Sequence, residues 1–427
     1  MNNQFGCQDY HDTINRRSLL KTAGAASLAT FLGMPVRELI AAAPKAATAE
    51  HVILFWNGGG MSHIDTWDPK PGRPTAGPFS PIKTSASGVE ISEIFPKLAK
   101  QMHHASLIRS IAGTNGDHGR ATYELQTSYQ MTGNSTVHPG LGSIVTSQRD
   151  SLGDLPAFVS IGGRAPKAGY LGQACEAYYV GRPGERDPYL TFPDGISQVQ
   201  GNKRLDILAK MNLKKTKQLS SHEMKAAEVA LNDAVDLMKS PALAAFELEK
   251  EDPKTLARYG ETEFGRAALL SKKLVETGVR FVQVNRGGFD NHMNIADAMT
   301  NHGATMDPAL ASLIEDLSVT GMIDKTLVVV LSEFGRTPRV NDNAGRDHWA
   351  KVFSCFMAGG GIKGGTVIGS SDADGAMPDE RPVEVSDLHA TVLHAMGINP
   401  AHEITTPQGR PMTLVRKEAK PVAELFV

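Results

Sequence analysis

Chemistry in this 427-residue chain gathers in five short segments: Ser62-His63-Ile64-Asp65, Thr114 to Thr122, Asp290-Asn291-His292, Glu333-Phe334-Gly335-Arg336 and Gly345-Arg346-Asp347-His348. Between them they hold four histidines, several carboxylates and several arginines. Imidazole and carboxylate are the ligands that hold Zn, Mn and similar divalent ions. Guanidinium groups suit an anionic partner. Taken singly, each segment also has a structural reading. Asp290-Asn291-His292 fits a turn with solvated side chains, Asp347-His348 a structural pair, and Glu333 with Arg336 an ion pair at a strand end.

Position argues for chemistry. Each segment follows, or shortly precedes, a short apolar run. The runs are His51–Asn57, Ala105–Ile111, Val279–Asn285, Thr326–Ser332 and Phe353–Ala358, all read as buried strands. Helical patterns intervene at about Gly119–Tyr129, at Glu263–Glu276, and on the face carrying Leu310, Leu313, Ile314 and Leu317. Helices alternating with apolar strands predict an α/β fold with a mostly parallel central sheet and helices on both faces. In such sheets ligands bind beyond the carboxyl ends of the strands. The segments should therefore meet on one rim, where Asp290, His292 and His348 would form the core of a divalent-ion site. Glu333 or Asp65 would add a further oxygen ligand.

Composition narrows the function. Lys and Arg number 44 against 46 Asp and Glu, a net charge of −2, which offers no polycationic surface for nucleic acid. Three cysteines, Cys7, Cys175 and Cys355, are too few for a disulfide framework or a Cys-based zinc site. Gly359–Gly365 reads as a turn, and glycines 58–60 lack the Gly-Lys-Ser/Thr of a phosphate loop. A polar, Lys- and Glu-rich stretch around 197–254 predicts a helical insertion within a single domain spanning 50–427.

Residues 1–49 read as an address. Arg16-Arg17 precedes a weakly apolar run from Thr22 to Val36, and Ala47-Thr48-Ala49 forms a small-residue cleavage site. That order resembles a twin-arginine signal peptide, implying the twin-arginine export machinery as a partner and a periplasmic or secreted location. The run is shorter than the ~20 residues of a spanning helix, so no stable membrane span is expected.

Gly58 to Pro71, His118-Gly119-Arg120, Gly288 to His292, Ser332 to Pro338 and Gly345 to Trp349 together resemble a largely uncharacterised family of exported bacterial proteins. That family, a domain of unknown function, is placed in the alkaline phosphatase and sulfatase superfamily. The resemblance implies an alkaline-phosphatase-like fold and a metal-dependent hydrolase acting on a phosphate or sulfate ester, small or polymeric. It implies a divalent ion (Zn, Mn or Ca), with a hydroxyl nucleophile opening the helix after the second strand. Thr114 and Thr122 are the candidates there, and Arg120 or Arg336 would stabilise charge on the transferred group. The superfamily's Asp after the first strand is replaced by Asn57, and Glu333-Phe334 stands where Asp-His is usual. No Cys-x-Pro-Ser-Arg is present, which disfavours a formylglycine sulfatase. The alternative is a non-catalytic binding or scaffold protein on the same fold, with a degraded metal site.

Overall fold

The computed structural model describes residues 48–133, 136–184, 192, 195–216 and 237–426. The paired arginines and Cys7 lie outside the described residues, as does most of the expected signal segment.

Nine strands form the central sheet: β1 (His51–Asn57), β2 (Ala105–Ala112), β3 (Phe158–Ile161), β4 (Tyr178–Val180), β5 (Phe281–Arg286), β6 (Thr326–Leu331), β7 (Phe353–Gly359), β8 (Thr366–Ile368) and β9 (Val383–Glu384). Their order is β8-β2-β7-β6-β1-β5-β3-β4, with β9 also pairing β2. Strand β1 lies at the centre, parallel to both β5 and β6. Only β7 runs against its neighbours, antiparallel to β2 and β6. The five sequence-predicted strands are all present, within a sheet that is mostly parallel as expected.

The helices are α1 (His118–Thr127), α2 (Leu141–Gln148), α3 (Gln198–Thr216), α4 (Pro253–Tyr259), α5 (Glu263–Glu276), α6 (Ile295–Val319) and α7 (Val385–Ala395). Alternation along β1 divides the core between the two faces. Ile53 and Phe55 join the apolar cluster built from α5 and α6, whereas Val52, Leu54 and Trp56 join the one built from α1, α2 and α7. Between 196 and 259 the described residues contain helices and turns and no strand. Cys175 and Cys355 are buried and do not form a disulfide. Among the described residues no helix is long and apolar enough to cross a membrane.

Candidate metal centre

Four strand ends and one reversed strand build the site. After β2 the chain turns into α1, where Asp117 caps the helix by accepting the Arg120 backbone N–H at 3.0 Å. That cap places His118 at the first helical position. After β5, the loop through Gly288 carries Asp290 and His292 to the same rim. Glu333 follows β6 after one residue, Ser332. His348 precedes β7, and because β7 is antiparallel its start lies where the other strands end. The residue before a reversed strand thereby joins residues that follow parallel ones.

Two glycines permit the close packing. Gly59 has φ +118°, and a Cβ there would stand 2.5 Å from the Asp290 backbone nitrogen. A Cβ on Gly345 would stand 2.1 Å from the His292 carbonyl carbon. These contacts bring the β1, β5 and β7 loops against one another around Asp290.

At the centre, Asp290 Oδ1 lies 3.0 Å from His292 Nε2 and 3.1 Å from His348 Nε2. Its Oδ2 lies 3.3 Å from His118 Nε2. The two nitrogens His292 Nε2 and His348 Nε2 are 3.1 Å apart. Donor atoms of His118, Asp290 and His348 all fall within 4.8 Å of one another. Phe334, fully buried, packs against the rings of His118 and His348 at centroid distances of 5.0 and 4.7 Å.

The far side of each imidazole decides its tautomer. His118 Nδ1 meets Glu333 Oε1 at 2.8 Å, His292 Nδ1 meets Asp347 Oδ1 at 2.7 Å, and His348 Nδ1 meets the Gly116 carbonyl at 2.8 Å. Carboxylates and carbonyls only accept, so each Nδ1 carries the proton and donates it. A neutral ring then turns a bare Nε2 lone pair toward Asp290. His118 Nε2 is buried and has no hydrogen-bond partner. Three lone pairs facing a carboxylate repel unless protons or a cation lie among them. His118, His348 and Asp290 bring a donor set suited to Zn or Mn close enough together to fit a divalent ion, and His292 Nε2 stands beside that set against Asp290 Oδ1.

Arg336 is fully buried, and its guanidinium donates to Asp290 Oδ1 at 2.5 Å, to Gly60 O at 2.8 Å, to Arg346 O at 2.9 Å and to Gly59 O. Burial pushes the Asp290 pKa up, but the hydrogen bond and the charge of the Arg336 guanidinium outweigh it and hold the carboxyl well below its usual range. The His292 hydrogen bond likewise lowers the Asp347 carboxyl.

The remaining expected residues stand elsewhere. Asp65, foreseen as an oxygen ligand, is buried and committed to Arg346, whose Nε donates to Oδ2 at 2.7 Å and whose terminal nitrogen lies 3.2 Å from Oδ1. Glu333 stands beside the cluster, with Oε1 taken by His118 Nδ1 and by the Gly59 N–H at 2.8 Å. Thr114 turns its hydroxyl to Glu124 at 3.5 Å. Thr122 is half-buried on α1, and Arg120 is exposed in its first turn. His63, equal to His118 in sequence, is buried with Nε2 against the Gly375 carbonyl at 2.9 Å, and burial lowers its pKa. His118 was absent from the expected ligand set. Its signal was available: a histidine directly after a capping Asp, at the first turn beyond a buried strand.

Fold and site together define a mixed α/β protein whose strand ends carry an imidazole–carboxylate cluster. The chain belongs to the family described as "Protein of unknown function (DUF1501)", whose model matches residues 49–426. No curated protein matches the sequence. Among solved structures, the chain is similar to a protein in the alkaline phosphatase superfamily from Vibrio parahaemolyticus. The two share 10% identity over 89% of this chain and 72% of that one, with a TM-score of 0.38. It is also similar to a phosphonate monoester hydrolase from Silicibacter pomeroyi, with 12% identity over 88% and 76% of the two chains and a TM-score of 0.37. A lipoteichoic acid synthase from Listeria monocytogenes has 10% identity over 87% and 76%, with a TM-score of 0.36.

Proposed function

We propose that this protein is an exported, metal-dependent hydrolase of a phosphate or sulfate ester. The observation that carries the reading is the convergence of three Nε2 atoms on Asp290, each ring fixed from behind by an acceptor. Asp290, His118, His292 and His348 would hold the ion. A divalent ion at such a place supplies Lewis acidity, polarising an ester oxygen and lowering the pKa of a water or hydroxyl.

The chain's own groups do the rest. Arg336 spends its donors on Asp290 and three carbonyls, so it fixes the carboxylate and leaves substrate to others. Arg120, exposed two residues after His118, would be the arginine that meets a phosphoryl or sulfuryl oxygen. The half-exposed Asp290, His118 and His292 leave the site open to a small ester or to the end of a polymer. The second reading, a binding protein that retains the cluster without turnover, is favoured by one observation: the Thr114 hydroxyl faces Glu124 rather than Asp290.

Elemental analysis followed by a panel of phosphomonoesters, phosphodiesters and sulfate esters, with Zn, Mn or Ca added, tests the proposal. Hydrolysis abolished by Asp290→Ala supports the hydrolase. Stoichiometric metal without turnover supports the binding protein, and a protein that takes up no metal defeats both. Export is tested separately. Arg16→Lys with Arg17→Lys should retain the precursor in the cytoplasm, and unchanged export of that variant would overturn the signal reading.

A further inference from the structure

We propose that Glu333 is a positioning residue that makes His118 a metal ligand, and is not itself a ligand. The inference rests on the metal site proposed above and adds a role that the ligand geometry leaves open. Glu333 is buried, at 3% exposure, although it stands just beyond a strand beside an open site. Its Oε1 accepts the His118 Nδ1–H at 2.8 Å and the Gly59 N–H at 2.8 Å. Its Oε2 lies 3.1 Å from Ser332 Oγ.

Ser332 in turn is locked, donating to the Asn57 carbonyl at 2.6 Å and accepting from the Gly60 and Met61 N–H groups at 3.1 and 2.9 Å. The carboxylate is thus held by the β1 turn on one side and aimed at a single imidazole on the other. A carboxylate behind an imidazole keeps the proton on Nδ1, orients the ring and raises the basicity of Nε2. For His118 the consequence is visible, since Nε2 is buried, without a hydrogen-bond partner, and 3.3 Å from Asp290 Oδ2. His292 has Asp347 behind it, an exposed carboxylate, and His348 has only a carbonyl. Glu333 is the buried carboxylate of the three supports, so its charge is the least screened by water.

The test is a double-mutant cycle on the full chain, read by Zn or Co titration and, for Co, by its visible absorption. Glu333→Gln should weaken metal binding by ~10–100-fold and change the Co spectrum, with Glu333→Asp recovering part of the loss. In a His118→Ala background, Glu333→Gln should cost nothing further, because its effect passes through that ring. An equal loss in both backgrounds would mean that Glu333 touches the metal directly or acts through the fold, and would overturn the inference. Nitrogen-15 NMR of the metal-free protein supplies an independent readout. The His118 ring should carry its proton on Nδ1 in the wild type and lose that preference in Glu333→Gln. If the wild type binds no metal while this preference holds, the metal reading fails and the positioning role survives. If the ring shows no such preference, the positioning role fails.

Discussion

Removing one imidazole separates a metal centre from a cluster that only supports the fold. In His348→Ala the lost contacts are the hydrogen bond to the Gly116 carbonyl and the approach to Asp290, with ring contacts to Phe334, His118 and His292. One hydrogen bond is worth about 1 kcal/mol, and the partly exposed ring adds little more. Metal binding contributes by linkage: an ion present at 100 times its Kd stabilises the folded state by about 2.7 kcal/mol. If loss of the ligand weakens binding ~100-fold, the same concentration stabilises the variant by only about 0.4 kcal/mol. Unfolding entropy of roughly 2.1 cal/mol/K per residue gives about 0.8 kcal/mol/K over residues 49–426. Metal should therefore raise the wild-type Tm by about 3 °C and the variant Tm by about half a degree. Melting curves of both proteins, each with chelator and with added Zn or Mn, read the difference without interference from the packing loss. The reasoning fails if His348→Ala gains as large a metal-dependent shift as the wild type, or if neither shifts.

Asp65→Asn breaks a buried ion pair and should cost about 3–5 kcal/mol of stability while leaving metal affinity unchanged; a matched loss of metal would return Asp65 to the site. Gly59→Ala combines a positive φ with a Cβ 2.5 Å from the Asp290 nitrogen. It should cost roughly 1–3 kcal/mol and also lower metal affinity, because it pushes on the Asp290 loop. Stability should also fall with acid through His389, fully buried with Nε2–H on the Leu125 carbonyl and its pKa lowered by burial to about 4. Below pH ~6.5 the unfolded chain takes up a proton that the folded one refuses, so stability drops toward pH 4 and then levels, by about 3 kcal/mol for this residue. His389→Gln should flatten that part of a Tm-against-pH curve, and an unchanged slope would refute the assignment.

The sheet was legible because its central strands are long and apolar, as in Thr326–Leu331 and His51–Asn57, the latter followed at once by three glycines. Strands of three or four residues such as Tyr178–Val180 and Thr366–Ile368 carry too few side chains for a periodicity. The rim was legible for the same reason as the sheet, since parallel strands deliver their ends to one side. Whether a rim residue faces the cluster is another matter, settled by contacts between loops far apart in sequence. Asp65 and Asp290 are both Asp in a loop after a strand, yet Arg346 buries one and Arg336 fixes the other at the surface of the site. His63 and His118 divide in the same way. His63 falls under a loop whose carbonyl at Gly375 lies 312 residues away, and His118 is turned outward by Asp117 capping its helix. The reversed strand β7 is the sharpest instance. Nothing in Phe353–Gly359 declares its direction, and a parallel β7 would have carried His348 to the opposite end of the sheet from Asp290. The cluster therefore depends on one strand orientation, set by the antiparallel pairing of β7 with β2 and β6.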